Sequence, residues 1–146
     1  MNREQLAWAA GIVDGEGCIR NSPSRRTLKN GGERIYYCPT IKVTQSSRDG
    51  AIPEMLLRLQ KLFPGSQIWK PSLSTGNRLI YDWALCNPEK VQAALCMLWI
   101  WLGSVKKKDA ISMMNQYFTS RKSQRLLNAK TKPRDELGRF LSYDRS

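Results

Sequence analysis

Every residue from Leu6 to Val13 is small or apolar, and the run stops abruptly at Asp14-Gly15-Glu16-Gly17. Asn2 followed three positions later by Gln5 has the pattern of a capping box, so residues 3 to 13 are predicted as a buried helix ended by Asp14-Gly15. Ala9, Ala10 and Gly11 remove side-chain bulk from that helix. Two such helices can approach until their backbones nearly touch, with their negative macrodipole ends side by side.

The rest of the chain alternates between strand and helix signals. A strand is predicted from Gly17 to about Thr27, interrupted at Pro23, with a turn at Asn30-Gly31-Gly32. From Arg34 to Gln45 the residues alternate, with Ile35, Tyr37, Ile41 and Val43 on one face. Asp49 can cap a second helix reaching Phe63, stopped by Pro64-Gly65. A second strand pair, Gln67 to Lys70 and Arg78 to Cys86, flanks a turn at residues 74–77. Asn87-Pro88-Glu89 opens a helix predicted to run to Leu102, and a further helix is predicted over 106–120. The order is that of one α+β domain with a single antiparallel sheet, residues 1–120, followed by a basic extension, 121–146, packing on the domain or contacting a partner.

Charge narrows the partner. The 146 residues carry 24 Lys and Arg against 12 acids, a net charge of +12, which favours a polyanion through counterion release. Histidine is absent, which excludes His-metal nucleases, His general bases and Ser-His triads together. Cys18, Cys38, Cys86 and Cys96 form no C-x-x-C pair, so a zinc ribbon or finger is excluded too. No secretory signal pattern is present, and the cysteines are expected as reduced thiols of an intracellular protein whose compartment stays open. Val91 to Leu102 is apolar apart from Gln92 but too short to span a bilayer, so no membrane partner and no small-molecule substrate are expected.

The segment Trp8 to Ile19, with Ala10-Gly11-Ile12-Val13-Asp14-Gly15-Glu16-Gly17 at its centre, resembles the signature of the LAGLIDADG homing endonucleases. The resemblance implies an αββαββα fold with a saddle-shaped sheet and an additional C-terminal helix or tail. It also implies metal ligation by Glu16, with the Gly15 carbonyl as a further ligand, while Asp14 closes the helix end by bonding nearby backbone. Val43-Thr44-Gln45 is similar to the end of the second strand in homodimeric members, which assigns Gln45 to solvent or metal-bound water. Lys106-Lys107-Lys108 stands where the family has a basic residue near the scissile phosphate. Lys106 is the residue expected to stabilise phosphate charge or polarise the attacking water. Glu16, Gln45 and Lys106 are thus the expected catalytic set. The chain departs from the pattern at Asp49, four positions after the glutamine, where a basic residue is common; Arg48 can substitute only if the local backbone shifts.

Only one such motif occurs, which in this family implies a homodimer joined through Trp8, Ala9, Ala10, Gly11, Val13 and Asp14 and a long, roughly palindromic double-stranded DNA site. Two terminal acids held that close repel unless divalent cations sit between them. Mg2+ is the expected cofactor, with Mn2+ substituting and Ca2+ supporting binding without cleavage. DNA contact is expected from one parity of each strand: Arg20, Ser22, Ser24 and Arg26; Tyr36, Cys38, Thr40, Lys42 and Thr44; and Gln67, Trp69, Ile80, Asp82 and Ala84. Lys107, Lys108 and Arg139 add phosphate affinity, within a stretch from 101 to 146 that holds 11 basic and 4 acidic residues. The resulting expectation is a site-specific endonuclease cutting both strands, with an RNA-splicing maturase or a non-cleaving DNA regulator on the same fold as alternatives.

Overall fold

Helix α1 (Arg3–Glu16) starts with the reciprocal pair that Asn2 and Gln5 predict. The Asn2 side chain accepts from the Gln5 backbone N–H at 2.9 Å, and Gln5 Oε1 accepts from the Asn2 N–H at 3.3 Å. The computed structural model describes residues 2–27, 31–47, 49–73 and 79–131. After α1 come β1 (Gly17–Thr27), β2 (Glu33–Ser47), α2 (Glu54–Leu62), β3 (Gln67–Leu73), β4 (Leu79–Leu85), α3 (Pro88–Leu98) and α4 (Ser104–Thr131). The four strands form one antiparallel sheet in the order β1-β2-β4-β3. The architecture is the expected α+β one, αββαββα with an added helix.

Two prolines sit on edge strands, where a missing donor is tolerated. Pro23 does not interrupt β1, because β1 is an edge strand. The opposite edge, β3, carries Pro71 and a register shift between Trp69 and Ser72.

The core lies between the sheet and the helices. Ile19, Ile41, Val43, Trp83 and Leu85 come from the strands, and Ala9, Ala10, Val13, Leu56, Leu59, Val91, Leu95 and Leu98 from the helices. Trp83 is the largest fully buried side chain, and its indole N–H donates to Ser66 Oγ at 2.9 Å. The Ser66 hydroxyl donates in turn to the Phe63 carbonyl at 2.8 Å, so the indole is buried with its donor satisfied.

Several boundaries differ from the sequence reading. Asp49 caps no helix: its carboxylate accepts from Ser47 Oγ and the Ala51 N–H, closing a turn, and α2 begins only after Pro53. Helix α3 ends at Leu98, short of Leu102, and a turn carries the chain into α4. Helix α4 runs past residue 120 to Thr131, so the first part of the basic extension is helical. Ile35 and Tyr37 share the parity of Ile41 and Val43 but are 52% and 60% exposed, so the buried stretch of β2 begins only at Pro39. Among the described residues no helix is long and apolar enough to cross a membrane.

Candidate active site and DNA-facing sheet

Gly17 turns α1 directly into β1. A Cβ at this position would stand 2.4 Å from the Val13 carbonyl oxygen, so only glycine permits the turn. Glu16 is thereby presented, exposed, at the C-terminal end of α1. A carboxylate there opposes the helix dipole, so helix stability does not explain it. The Glu16 carboxylate accepts a hydrogen bond from Gln45 Nε2, which joins the end of α1 to the end of β2.

The first turn of α4 closes the other side. Lys106 is half-buried, and its ammonium donates to the Gly17 carbonyl, the residue directly after Glu16. Asp14 Oδ1 accepts from the Gly103 backbone N–H at 2.9 Å. Asp14 therefore does not bond the backbone of its own helix end, as the sequence implied; it caps a different helix, 89 positions away. Its negative charge at the positive end of α4 offsets the repulsion that Lys106, Lys107 and Lys108 meet there. A Cβ on Gly103 would lie 2.7 Å from Asp14 Oδ2, so a larger residue there would make the Asp14 carboxylate shift.

The fold thus brings Glu16, Gln45 and Lys106 to one place. Gly15 lies in the last turn of α1 with open space around its α-carbon. Lys107 sits with its ammonium 5.7 Å from the centre of the Trp99 ring, and Lys108 is exposed. Arg48 and Arg139 lie outside the described residues. Among the described residues no group of three or more Cys, Asp or Glu side chains forms a metal cage. The oxygen donors at Glu16 and Gly15 fit a hard cation that keeps much of its water.

Strand register gathers the groove-reading candidates on the sheet face away from the helices. Arg20 pairs with Thr40, Ser22 with Cys38, Ser24 with Tyr36 and Arg26 with Arg34. Lys42 pairs with Ala84, Thr44 with Asp82, Gln67 with Ala84 and Trp69 with Asp82; Ile80 pairs with Ser46. Thr40 and Ala84 share this face but are buried, Thr40 turning its hydroxyl to the Cys38 carbonyl, so neither is an accessible contact. Cys18 and Ser46 belong to the same open face, both exposed. Their parity alone would have placed them there.

One pair on this face is fixed by a network. Lys42 Nζ lies 2.8 Å from Asp82 Oδ2, and Thr44 Oγ1 donates to Asp82 Oδ1 at 2.6 Å. Partial burial pushes the Asp82 carboxyl up, but the hydrogen bonds from Lys42 and Thr44 and the Lys42 charge hold it below its ordinary value of 3.8.

The proposed dimer contacts need correction at three positions. Ala9, Ala10 and Val13 are fully buried in the chain's own core, where a second copy cannot touch them. The outward flank of α1 instead carries Ala7, Trp8, Gly11 and Gly15, four and eight residues apart in the series 7, 11 and 15. Trp8 is partly covered by Arg58, whose guanidinium stands 4.0 Å from the ring centre.

Solved structures share this fold. The homing endonuclease I-TnaI aligns over 83% of this chain and 76% of its own, with a TM-score of 0.59 and 23% identity. I-CvuI, in complex with its target in the presence of calcium, aligns over 75% of this chain and 64% of its own (TM-score 0.55, 23% identity). I-CeuI, a group I intron-encoded homing endonuclease complexed with DNA, aligns over 90% and 63% (TM-score 0.60, 16% identity). This chain therefore spans under two thirds of the length of the last two. A LAGLIDADG meganuclease, I-CpaMI, is a further match. No protein-family profile matches the sequence, and no curated protein does. The fold is that of the LAGLIDADG homing endonucleases.

Proposed function

We propose that this chain is a site-specific double-stranded DNA endonuclease that works as a homodimer with Mg2+. The carrying observation is the junction at the end of α1, where the Glu16 carboxylate is held by Gln45 and the adjoining Gly17 carbonyl by Lys106. A fold that only bound DNA would have no use for an exposed acid on a helix end beside its basic face. Mg2+ would be held by Glu16 and the Gly15 carbonyl; when bound it supplies Lewis-acid stabilisation of phosphate oxygens and a more acidic water. Gln45 orients the Glu16 carboxylate. Lys106 places a fixed positive charge beside the scissile phosphate.

Homodimer formation is supported by what α1 leaves uncovered. A Cβ on Gly11 or on Gly15 would meet nothing within 4 Å, so the chain's own packing gives no reason for glycine at either position. A second α1 lying against Ala7, Gly11 and Gly15 supplies that reason and sets two Glu16 residues at one symmetry axis. Twofold symmetry then calls for a nearly palindromic site cut on both strands.

The test is cleavage of a randomised palindromic duplex library with Mg2+ by the wild type and by Glu16→Gln. Wild type should yield cut sites, and Glu16→Gln should bind the same sites without cutting them. Binding without cutting by the wild type would leave a regulator, and intron splicing that survives Glu16→Gln would leave a maturase.

A further inference from the structure

Asp82 is the sole carboxylate among the described residues on the open sheet face. On a surface that meets phosphates such a charge weakens binding at every sequence, so its presence calls for a return in discrimination. It is also unusually well held. Lys42 fixes one oxygen at 2.8 Å and Thr44 the other at 2.6 Å, on neighbouring strands of a rigid sheet. Thr40 and Ala84, beside Lys42 on this face, are buried, while the Lys42 and Asp82 side chains keep 32% and 29% of their surface open to a ligand.

We propose that Lys42 and Asp82 act as one unit that reads a single base pair in the major groove, Lys42 on guanine and Asp82 on its cytosine partner. This rests on the open face being the DNA-contacting surface. A G·C pair presents guanine O6 as acceptor directly beside cytosine N4 as donor, the two joined by a hydrogen bond of about 2.9 Å. The Lys42 and Asp82 head groups are 2.8 Å apart with the complementary chemistry, donor beside acceptor. Both contacts can therefore form together without breaking the ion pair.

The other base pairs fit less well, each for its own reason. In C·G and A·T the amino group lies under the lysine and the keto oxygen under the carboxylate, so donor faces donor and acceptor faces acceptor. T·A keeps the right order, but the thymine methyl crowds the ammonium and adenine N7 faces the carboxylate. Guanine N7 beside O6 instead offers Lys42 a second acceptor. The expected ranking is G·C, then T·A, then the two reversed pairs.

The decisive variant is the charge swap Lys42→Asp with Asp82→Lys, which keeps an ion pair and reverses its order. Full-length protein is used to select bound duplexes from a randomised palindromic library, with Ca2+ in place of Mg2+ so that cutting does not deplete them. Wild type should enrich G·C over C·G at one symmetric pair of positions by roughly ten- to a hundredfold. The swap should invert that preference and leave the other positions as they were. If the swap does not fold, Lys42→Met is read instead and should lose most of the preference for G·C at that position while leaving the other positions as they were. An unchanged profile in either variant, or a uniform change in affinity at all sequences, overturns the pair as a reader while leaving the endonuclease reading intact. Failure of the wild type to enrich any duplex overturns both.

Discussion

The carboxylate of Asp14 accepts the backbone N–H of Gly103 at 2.9 Å, which ties the end of α1 to the start of α4. The candidate catalytic residues flank this bond. Two positions after Asp14 stands Glu16, and three after Gly103 stands Lys106, itself bonded to the Gly17 carbonyl. Two helices far apart in sequence are thus joined at two points next to the candidate catalytic groups. Removing Asp14 leaves the Lys106–Gly17 bond as the remaining tie between the two. Asp14→Ala is expected to lose about 1 kcal/mol as a helix cap does, about 3 °C in Tm. Gly103→Ala should cost up to as much, since its Cβ would meet the same carboxylate at 2.7 Å and push it off the cap. Thermal unfolding followed by circular dichroism measures both, and a Tm unchanged in both variants would contradict the cap.

Lys106→Met should lower the rate of DNA cleavage by about a hundred- to a thousandfold, the usual consequence of losing one prepositioned charge at a reacting phosphate. The loss should fall on kcat more than on KM, because the group acts where charge develops. Single-turnover cleavage with saturating enzyme separates the two. A variant that cuts at the wild-type rate would remove Lys106 from the site.

Gly11→Leu tests the dimer without disturbing the fold. Nothing lies within 4 Å of the new Cβ in the isolated chain, so secondary structure should be retained. A leucine on the face where two backbones meet should abolish association, and cleavage with it. Sedimentation velocity reads the first and a plasmid-cutting assay the second; a variant that stays dimeric would move the interface elsewhere.

Acid should destabilise the protein through Asp49 and Asp82. Both are held below the ordinary value of 3.8, Asp49 chiefly by the Ala51 N–H and then by Ser47, Asp82 by Lys42 and Thr44 against the opposing effect of burial. A lowered folded-state value means that the folded protein holds its charged form to lower pH than the unfolded chain does. Their contribution is complete above about pH 4 to 5 and is lost as pH falls through the lowered values. Urea midpoints measured from pH 6 to pH 3 should drop less steeply for the Asp49→Asn, Asp82→Asn double variant than for the wild type. Parallel curves would show that neither carboxylate contributes.

Much of this architecture can be read in the chain because its causes are local. The capping pair Asn2 and Gln5, the Asn87-Pro88 start of α3 and the turn after Pro64 act within a few residues, and each appears where expected. Strand parity is equally local, since successive side chains must alternate. It placed Arg20, Lys42, Thr44, Trp69 and Asp82 on one face before any pairing was known. Parity says nothing about how far along a strand burial extends, so Ile35 and Tyr37 share a face with Ile41 and Val43 and are nonetheless exposed.

The chain alone determined a small-residue helix ending in acids, two strand pairs of known parity and a strongly basic character. Tertiary structure alone decided which flank of that helix is buried, with Ala9, Ala10 and Val13 inward and Ala7, Gly11 and Gly15 outward. It also decided that Asp14 caps α4, that Gln45 holds Glu16, and that Lys42 is paired to Asp82. The physical reason is the range of the forces involved. Helix and strand preferences act over a few residues, whereas a burial side or a hydrogen-bond partner is chosen only when packing brings distant segments into contact.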